Sequence, residues 1–240
     1  MIEGPNIYSF DSRVRYSEAG EDMFLTPGAL IDYFQDCSTL HTQDCGISMD
    51  YLKGLGFAWI MISWQIRISK MPKLGDPVRT KTWAVSFRSF FGDRQYTLED
   101  PAGGEYARAF GIWVLMDMVK GKPVRVPDHM VRAYGIGPKL DMEQVSRKIR
   151  LPEEERHSEE PFRVGRVLLD SNHHVNNAQY ISLAADYLPA GFPIHSIRAE
   201  YRKQAKLGDE IFPWTGPAEG GHGISLQDAG GDAYAVVLFQ

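Results

Sequence analysis

The chain has 240 residues, 43% hydrophobic and 24% charged, with a formal net charge of -5. That length suits one large domain or two small ones, with core enough to fold without a metal or a disulfide. The acidic balance argues against nucleic acid as the main partner, because phosphate binding needs a dense basic surface. Cys37 and Cys45, the only cysteines, fit no metal motif and read as reduced thiols. No run approaches the roughly 18 apolar residues of a membrane span. The first residues carry no apolar core or basic leader, so neither signal peptide nor anchor is expected, and the cytoplasm is the expected location.

In chain order, a short strand is expected over Tyr8 to Tyr16. A helix follows, with Thr26 as N-cap, Pro27 in its first position, and Leu30, Ile31, Tyr33 and Phe34 on its buried face. Then come apolar runs such as Trp59 to Ile68, broken by Gly-Asp and Gly-Gly turns, which read as antiparallel strands. The stretch from about Met130 to Glu160, with the charge run Arg147 to Arg156, reads as a polar surface connector holding one short helix. A second strand is expected over Phe162 to Leu169, then a helix with Tyr180, Ile181, Leu183 and Ala184 on its apolar side, then further strands.

The two halves repeat each other. Lys73-Leu74-Gly75-Asp76 returns as Lys206-Leu207-Gly208-Asp209. Tyr96 to Asp100, with Tyr106-Ala107 after it, is echoed by Ile224 to Asp228 and Ala233-Tyr234-Ala235. Ordered landmarks of this kind mark a duplicated unit. One helix followed by antiparallel strands is an α+β layout, in which the strands bury the helix by wrapping it. The expected division is an N-terminal domain over 1–130, a linker over 131–160 and a C-terminal domain over 161–240.

The densest polar cluster lies between the second expected strand and its helix. Six of the eight residues 170–177 are Asp, Asn or His. If the segment is extended, Asp170, Asn172 and His174 share one side. A carboxylate, an amide and an imidazole together suit proton transfer near neutral pH, and free N–H groups at the helix start, expected near Val175, would polarise a carbonyl. Helix capping and turn formation account for one or two such residues, not for six.

Asp170, Asn172, His174, Val175, Asn176, Asn177 and Tyr180 match the D-x-N-x-H-V-N-N-x-x-Y motif, so the chain resembles the acyl-ACP thioesterases over nearly its whole length. The resemblance implies a tandem (double) hot-dog fold, each half a long helix wrapped by an antiparallel sheet. It implies hydrolysis of fatty acyl-ACP by catalytic residues in the C-terminal domain, with the N-terminal domain shaping the acyl pocket. The partner it implies is acyl carrier protein with a phosphopantetheine-linked acyl chain. Asn176, Asn177 and Tyr180 are candidate substrate-binding residues. Gln204 and Ala205 stand where the plant-type family carries its catalytic Glu and Cys, so a cysteine nucleophile is not expected. Gln204 can hydrogen-bond a water but cannot take its proton, which leaves Asp170 or His174 as base, or Glu200 in another strand register. Aligning the repeats puts Gly20, Asp22 and Phe24 opposite Asp170, Asn172 and His174, so one active site per chain is expected.

Weaker signals remain. Trp59 and Trp64 are candidates to line an acyl tunnel, or plain core. Arg198, Arg202, Lys203 and Lys206 are candidates for a carrier-protein patch, or a charged strand edge. His41, His129, His157, His195 and His222 show no metal-ligand spacing, so no metal and no cofactor is expected. Rival readings are an acyl-CoA thioesterase, a hot-dog dehydratase and a non-catalytic acyl-thioester binder. Monomer and homodimer both stay open.

Overall fold

The computed structural model describes residues 6–152 and 155–240. Met1 to Pro5, and Glu153 and Glu154 of the charge run, lie outside the described residues. The chain forms two compact units, one comprising Met1–Leu25, Asp32–Ile62 and Ile68–Gln144, the other Thr26–Ile31, Ser63–Arg67 and Val145–Gln240.

The first unit contains β1 (Tyr8–Arg13), most of α1 (Pro27–Asp44), α2 (Met49–Gly54), most of β2 (Phe57–Ile68), β3 (Pro77–Arg88), β4 (Phe91–Glu99), β5 (Glu105–Asp117), β6 (Lys122–Pro123) and α3 (Asp128–Tyr134). Its sheet runs β1-β3-β4-β5-β2, with β6 beside β5. Helix α1 starts at Pro27 as expected, and the Thr26 hydroxyl accepts the Ala29 N–H at 3.3 Å. Leu30, Phe34, Cys37 and His41 recur at three- and four-residue spacing and are all buried. The helix stops in a Schellman turn. Gly46 sits at φ 73°, its N–H reaches the Gln43 carbonyl, and the Ile47 N–H reaches Thr42.

The second unit takes the first turn of α1 and residues 63–67 of β2. It adds β7 (His157–Ser158), β8 (Phe162–Arg163), α4 (Asn177–Ala185), β9 (Ser196–Tyr201), β10 (Glu210–Ala218), β11 (Gly221–Gln227) and β12 (Ala233–Phe239). Its order is 63–67 of β2, then β9-β12-β11-β10-β7, with β8 also on β10. The ladders at β9, β10, β11 and β12 are antiparallel. Every residue of β12 is buried, as its unbroken apolar run requires.

Three expectations need correction. Arg166–Leu168 is a 3-10 turn, not strand, because the chain has already left β10 at Arg163. Helix α4 has 9 residues against 18 in α1, so only the first half carries a long helix. Pro189 and Pro193 follow soon after it and supply no N–H to continue the spiral. The connector is largely exposed and holds one short helix, α3, as expected, but it is not solvated throughout. Met130 and Tyr134 of α3 are core residues with Leu52, Ala84 and Leu115. The Gly137 N–H bonds the Ala84 carbonyl at 2.8 Å, and the Leu140 N–H bonds Gln95 Oε1 at 2.7 Å. Further on, Ile149 packs in the second unit with Ala218, Val236 and Leu238. Among the described residues, no helix is long and apolar enough to cross a membrane.

Candidate active site

The polar cluster forms a tight turn. Leu169 and Val175 pair as a bridge. Inside it the Asp170 N–H bonds the His174 carbonyl at 2.8 Å and the His173 N–H bonds the Asp170 carbonyl at 3.1 Å. His173 takes the left-handed conformation, φ 62°, that the reversal demands. Oδ1 of Asp170 accepts the N–H of Asn172 at 2.8 Å and of His174 at 3.2 Å. Oδ2 faces the Asn172 amide nitrogen at 3.5 Å. The segment is therefore not extended. A carboxylate-anchored turn, not strand alternation, gathers these residues, because Asp bonds its own backbone two residues on more favourably than it extends.

Asp170 and His174 are half-buried and Asn172 is exposed. The His174 Nδ1 is buried with no hydrogen-bond partner. Burial is the largest influence on this imidazole and lowers its pKa; the Asp170 charge pulls the other way. Its resting form at neutral pH is thus uncharged and able to take a proton.

The segment after β9 runs beside this turn. The Val175 N–H bonds the Ala205 carbonyl at 2.9 Å, and His174 pairs with Lys206 as a bridge. Gln204 is exposed, one residue before this junction. Glu200 is committed elsewhere. Its Oε2 accepts the Ile149 N–H at 3.2 Å and the Arg202 guanidinium at 2.7 Å, so it is not available as a base.

The amides expected to polarise a carbonyl are also engaged. Helix α4 begins at Asn177, not Val175. The Asn176 N–H bonds Leu168, the Ala178 N–H bonds the Asn176 side chain, and the Gln179 N–H bonds the Asn176 carbonyl. Among the side chains of the turn, the Asn172 amide is exposed.

The candidate binding residues divide. Asn176 caps α4, and the Asn177 carbonyl accepts the Tyr201 hydroxyl at 2.9 Å. Tyr180 is only 2% exposed. Its hydroxyl accepts the Ala205 N–H at 2.9 Å, so it holds backbone and is not presented to a substrate. In the first unit the Trp59 indole donates to the Tyr134 hydroxyl at 3.1 Å. Trp64, in the second, is fully packed.

The proposed basic patch is smaller than its sequence suggests. Arg198 is 9% exposed and pairs with Glu219 and the carbonyls of Ser146 and Lys148, which removes it from the surface. Arg202 pairs with Glu200, and Lys203 pairs with Asp228 beneath the Tyr234 ring. Lys206 remains exposed, next to His174.

The first unit carries the same turn without the chemistry. The Gly20 N–H bonds Phe24 at 2.8 Å, the Met23 N–H bonds Gly20 at 3.0 Å, and Met23 sits at φ 67°. Ala19 pairs with Leu25 and Phe24 with Lys73, as Leu169 does with Val175 and His174 with Lys206. The scaffold belongs to the duplicated fold, and the acid, amide and imidazole belong to the second copy alone. Sequence reading missed the role of residues 204–206 as the wall of this turn. The recurring Lys-Leu-Gly-Asp is the signal for it: Gly75 and Gly208 both take φ near 87°, and each Asp carboxylate accepts the Lys N–H at 2.8 Å. Among the described residues, no group of three His, Cys, Asp or Glu gathers as metal ligands.

Comparison with known proteins gives a consistent picture. The model of the acyl-ACP thioesterase N-terminal domain matches residues 5–134, and that of the C-terminal domain matches residues 152–228. A curated chloroplastic acyl-[acyl-carrier-protein] hydrolase of Cuphea viscosissima is 25% identical over 95% of this chain, which spans 59% of that relative's length. An acyl-ACP thioesterase structure from Bacteroides thetaiotaomicron aligns with TM-score 0.88 at 19% identity, covering 97% of this chain and 96% of its own. A 12:0-ACP thioesterase from Umbellularia californica aligns with TM-score 0.82 at 18% identity, covering 98% and 96%. These structural likenesses fix the fold as a tandem hot-dog of α+β class.

Proposed function

The chain belongs to the acyl-ACP thioesterase family, and from that footing we propose that it hydrolyses fatty acyl-ACP to free fatty acid and holo-ACP. The observation that carries the reading is the Asp170 turn, in which one carboxylate holds both Asn172 and His174. The C-terminal domain, 161–240, is the catalytic domain, and the N-terminal domain shapes the acyl pocket.

In this mechanism Oδ1 of Asp170 is occupied by the turn and keeps it rigid. Oδ2, or the neutral His174, takes a proton from water. The resulting hydroxide attacks the thioester carbonyl, whose oxygen gains charge and is met by the Asn172 amide. The C–S bond breaks, and the pantetheine thiolate leaves with the proton the base acquired. Gln204, one residue from the Ala205–Val175 contact, orients the water without deprotonating it. Lys206 meets the anionic carrier at the site's edge. The cytoplasmic location expected from the sequence goes with this reading, since enzyme and carrier must share a compartment.

The test is thiol release from a panel of acyl-ACPs and acyl-CoAs, with Asp170→Asn alongside. The asparagine Oδ1 still accepts the two N–H groups, so the turn survives while the carboxylate is lost. The expected result is release from acyl-ACPs, with kcat lower by about 10²–10⁴-fold in the variant and its melting unchanged. Equal kcat in the two proteins would overturn the assignment. Preference for the CoA panel would move the substrate to acyl-CoA, and tight binding with no release would make the chain an acyl-thioester binder.

A further inference from the structure

The first unit carries an exposed apolar tip that the proposed chemistry does not use. It forms where the C-terminal end of α2 meets the turn between β5 and β6. The Met118 N–H bonds the Gly56 carbonyl at 2.8 Å, and the Val119 side chain lies so close to Gly56 that a Cβ there would come within 3.1 Å of it. Gly56 takes φ 70° at this approach, a conformation that glycine adopts freely. The turn is fixed from below by Asp117, whose Oδ1 accepts the N–H of Val119 at 3.1 Å and of Lys120 at 2.9 Å. Leu55, Met118 and Val119 are thereby held together in water, 45%, 50% and 86% exposed. Cations surround them. Lys53, Lys120, Lys122 and Arg125 are all exposed. From Met118 to Arg125 the chain has three cations and no carboxylate, against a net charge of -5 for the whole. Lys120 pairs with Asp117 at 3.1 Å, yet its side chain stays 76% exposed. The exposed carboxylates of the adjoining helices, Asp50 and Asp128, flank the contact between the Tyr51 hydroxyl and His129 Nε2.

We infer that this tip docks on an anionic lipid surface. Leu55, Met118 and Val119 enter the boundary between headgroups and acyl chains, and Lys53, Lys120, Lys122 and Arg125 meet the lipid phosphates. A bilayer fits this composition better than a protein does. Lysine is depleted at protein–protein interfaces, and the three apolar side chains include no aromatic anchor of the kind that carries such interfaces. On a bilayer the lysine stems lie along apolar surface while their ammonium groups reach the headgroups. The attachment is peripheral and reversible. It does not rest on the hydrolase reading, and Asp170→Asn keeps the tip intact.

The test is co-sedimentation of the full chain with vesicles of phosphatidylcholine alone and of phosphatidylcholine with one-third phosphatidylglycerol. The chain should bind the anionic vesicles and bind the neutral ones at least about tenfold more weakly. Replacing Lys120 and Lys122 together by Ser should lower the partition onto anionic vesicles by about 10–30-fold, near fivefold for each charge. Met118→Ser with Val119→Ser should lower it by about tenfold or more. All four side chains are exposed, so the melting temperature should stay at the parent value. Raising the salt to about 0.5 M, which needs no variant, should release most of the bound parent because exposed charges are screened. No binding to anionic vesicles, equal binding to both vesicle types, or variants that bind like the parent would each overturn the proposal. So would a tip that leaves vesicles untouched but whose variants bind an acyl carrier protein more weakly, since the occupant would then be an acidic protein.

Discussion

The Tyr180 hydroxyl accepts the backbone N–H of Ala205 at 2.9 Å, tying the first turn of α4 to the segment that flanks His174. Ala205 is completely buried, so no water can replace this acceptor.

Tyr180→Phe leaves the Ala205 N–H unsatisfied, and the expected loss of stability is about 1–3 kcal/mol. With the wall of the turn loosened, kcat should fall while KM changes little. Denaturant unfolding and steady-state kinetics read both. A raised KM with stability unchanged would make Tyr180 a substrate contact after all.

The pH dependence follows from His174. Burial lowers its pKa below the usual histidine value, and the neutral ring is the working form. kcat/KM should therefore rise with pH through an inflection below about 6.5 and be level by pH 7. His174→Ala should remove this limb along with most activity. An acid limb centred above 6.5 in the parent enzyme would contradict the assignment.

Arg198 and Lys206 should separate cleanly. Arg198→Met strands Glu219 and two backbone carbonyls, and should cost about 2–4 kcal/mol without altering affinity for the carrier. Lys206→Ala removes an exposed charge, and should leave stability alone while raising KM for acyl-ACP about two- to fivefold. The reverse pattern would return Arg198 to the carrier patch.

Asp32 on α1 is a built-in cost. Burial, then the charges of Asp36 and Glu18, raise its pKa to about 6. A carboxyl whose folded pKa exceeds its unfolded value near 3.9 is penalised whenever it is ionised. The penalty is absent below pH 4, grows between 4 and 6, and is complete above. Asp32→Asn should thus stabilise the protein at pH 8 by about 1–2 kcal/mol after discounting for partial exposure. The gain should vanish by pH 4. Melting at the two pH values checks this, and equal shifts at both would show that charge is not the cause.

The repeat and the motif were legible because both are written in local sequence. Lys73 to Asp76 and Lys206 to Asp209 fold into the same Gly-centred turn wherever they stand. The α1 face showed in its apolar spacing and its Thr26-Pro27 start. The fates of Arg198, Glu200 and Tyr180 were not legible. Each is a polar residue of a type that faces water or substrate as readily as it satisfies backbone, and their partners lie 25 to 52 residues away in sequence.

By itself, then, the sequence determined the duplicated α+β units, the family and the Asp170–His174 constellation, because hydrophobic period and turn chemistry act over a few residues. Only the tertiary structure decided that this constellation is a carboxylate-anchored turn walled by residues 204–206. It also decided that the N–H groups of Asn176, Ala178 and Gln179 are already engaged. Those outcomes depend on which distant backbone and side-chain groups meet, and burial and hydrogen-bond satisfaction are settled only when the whole chain has packed.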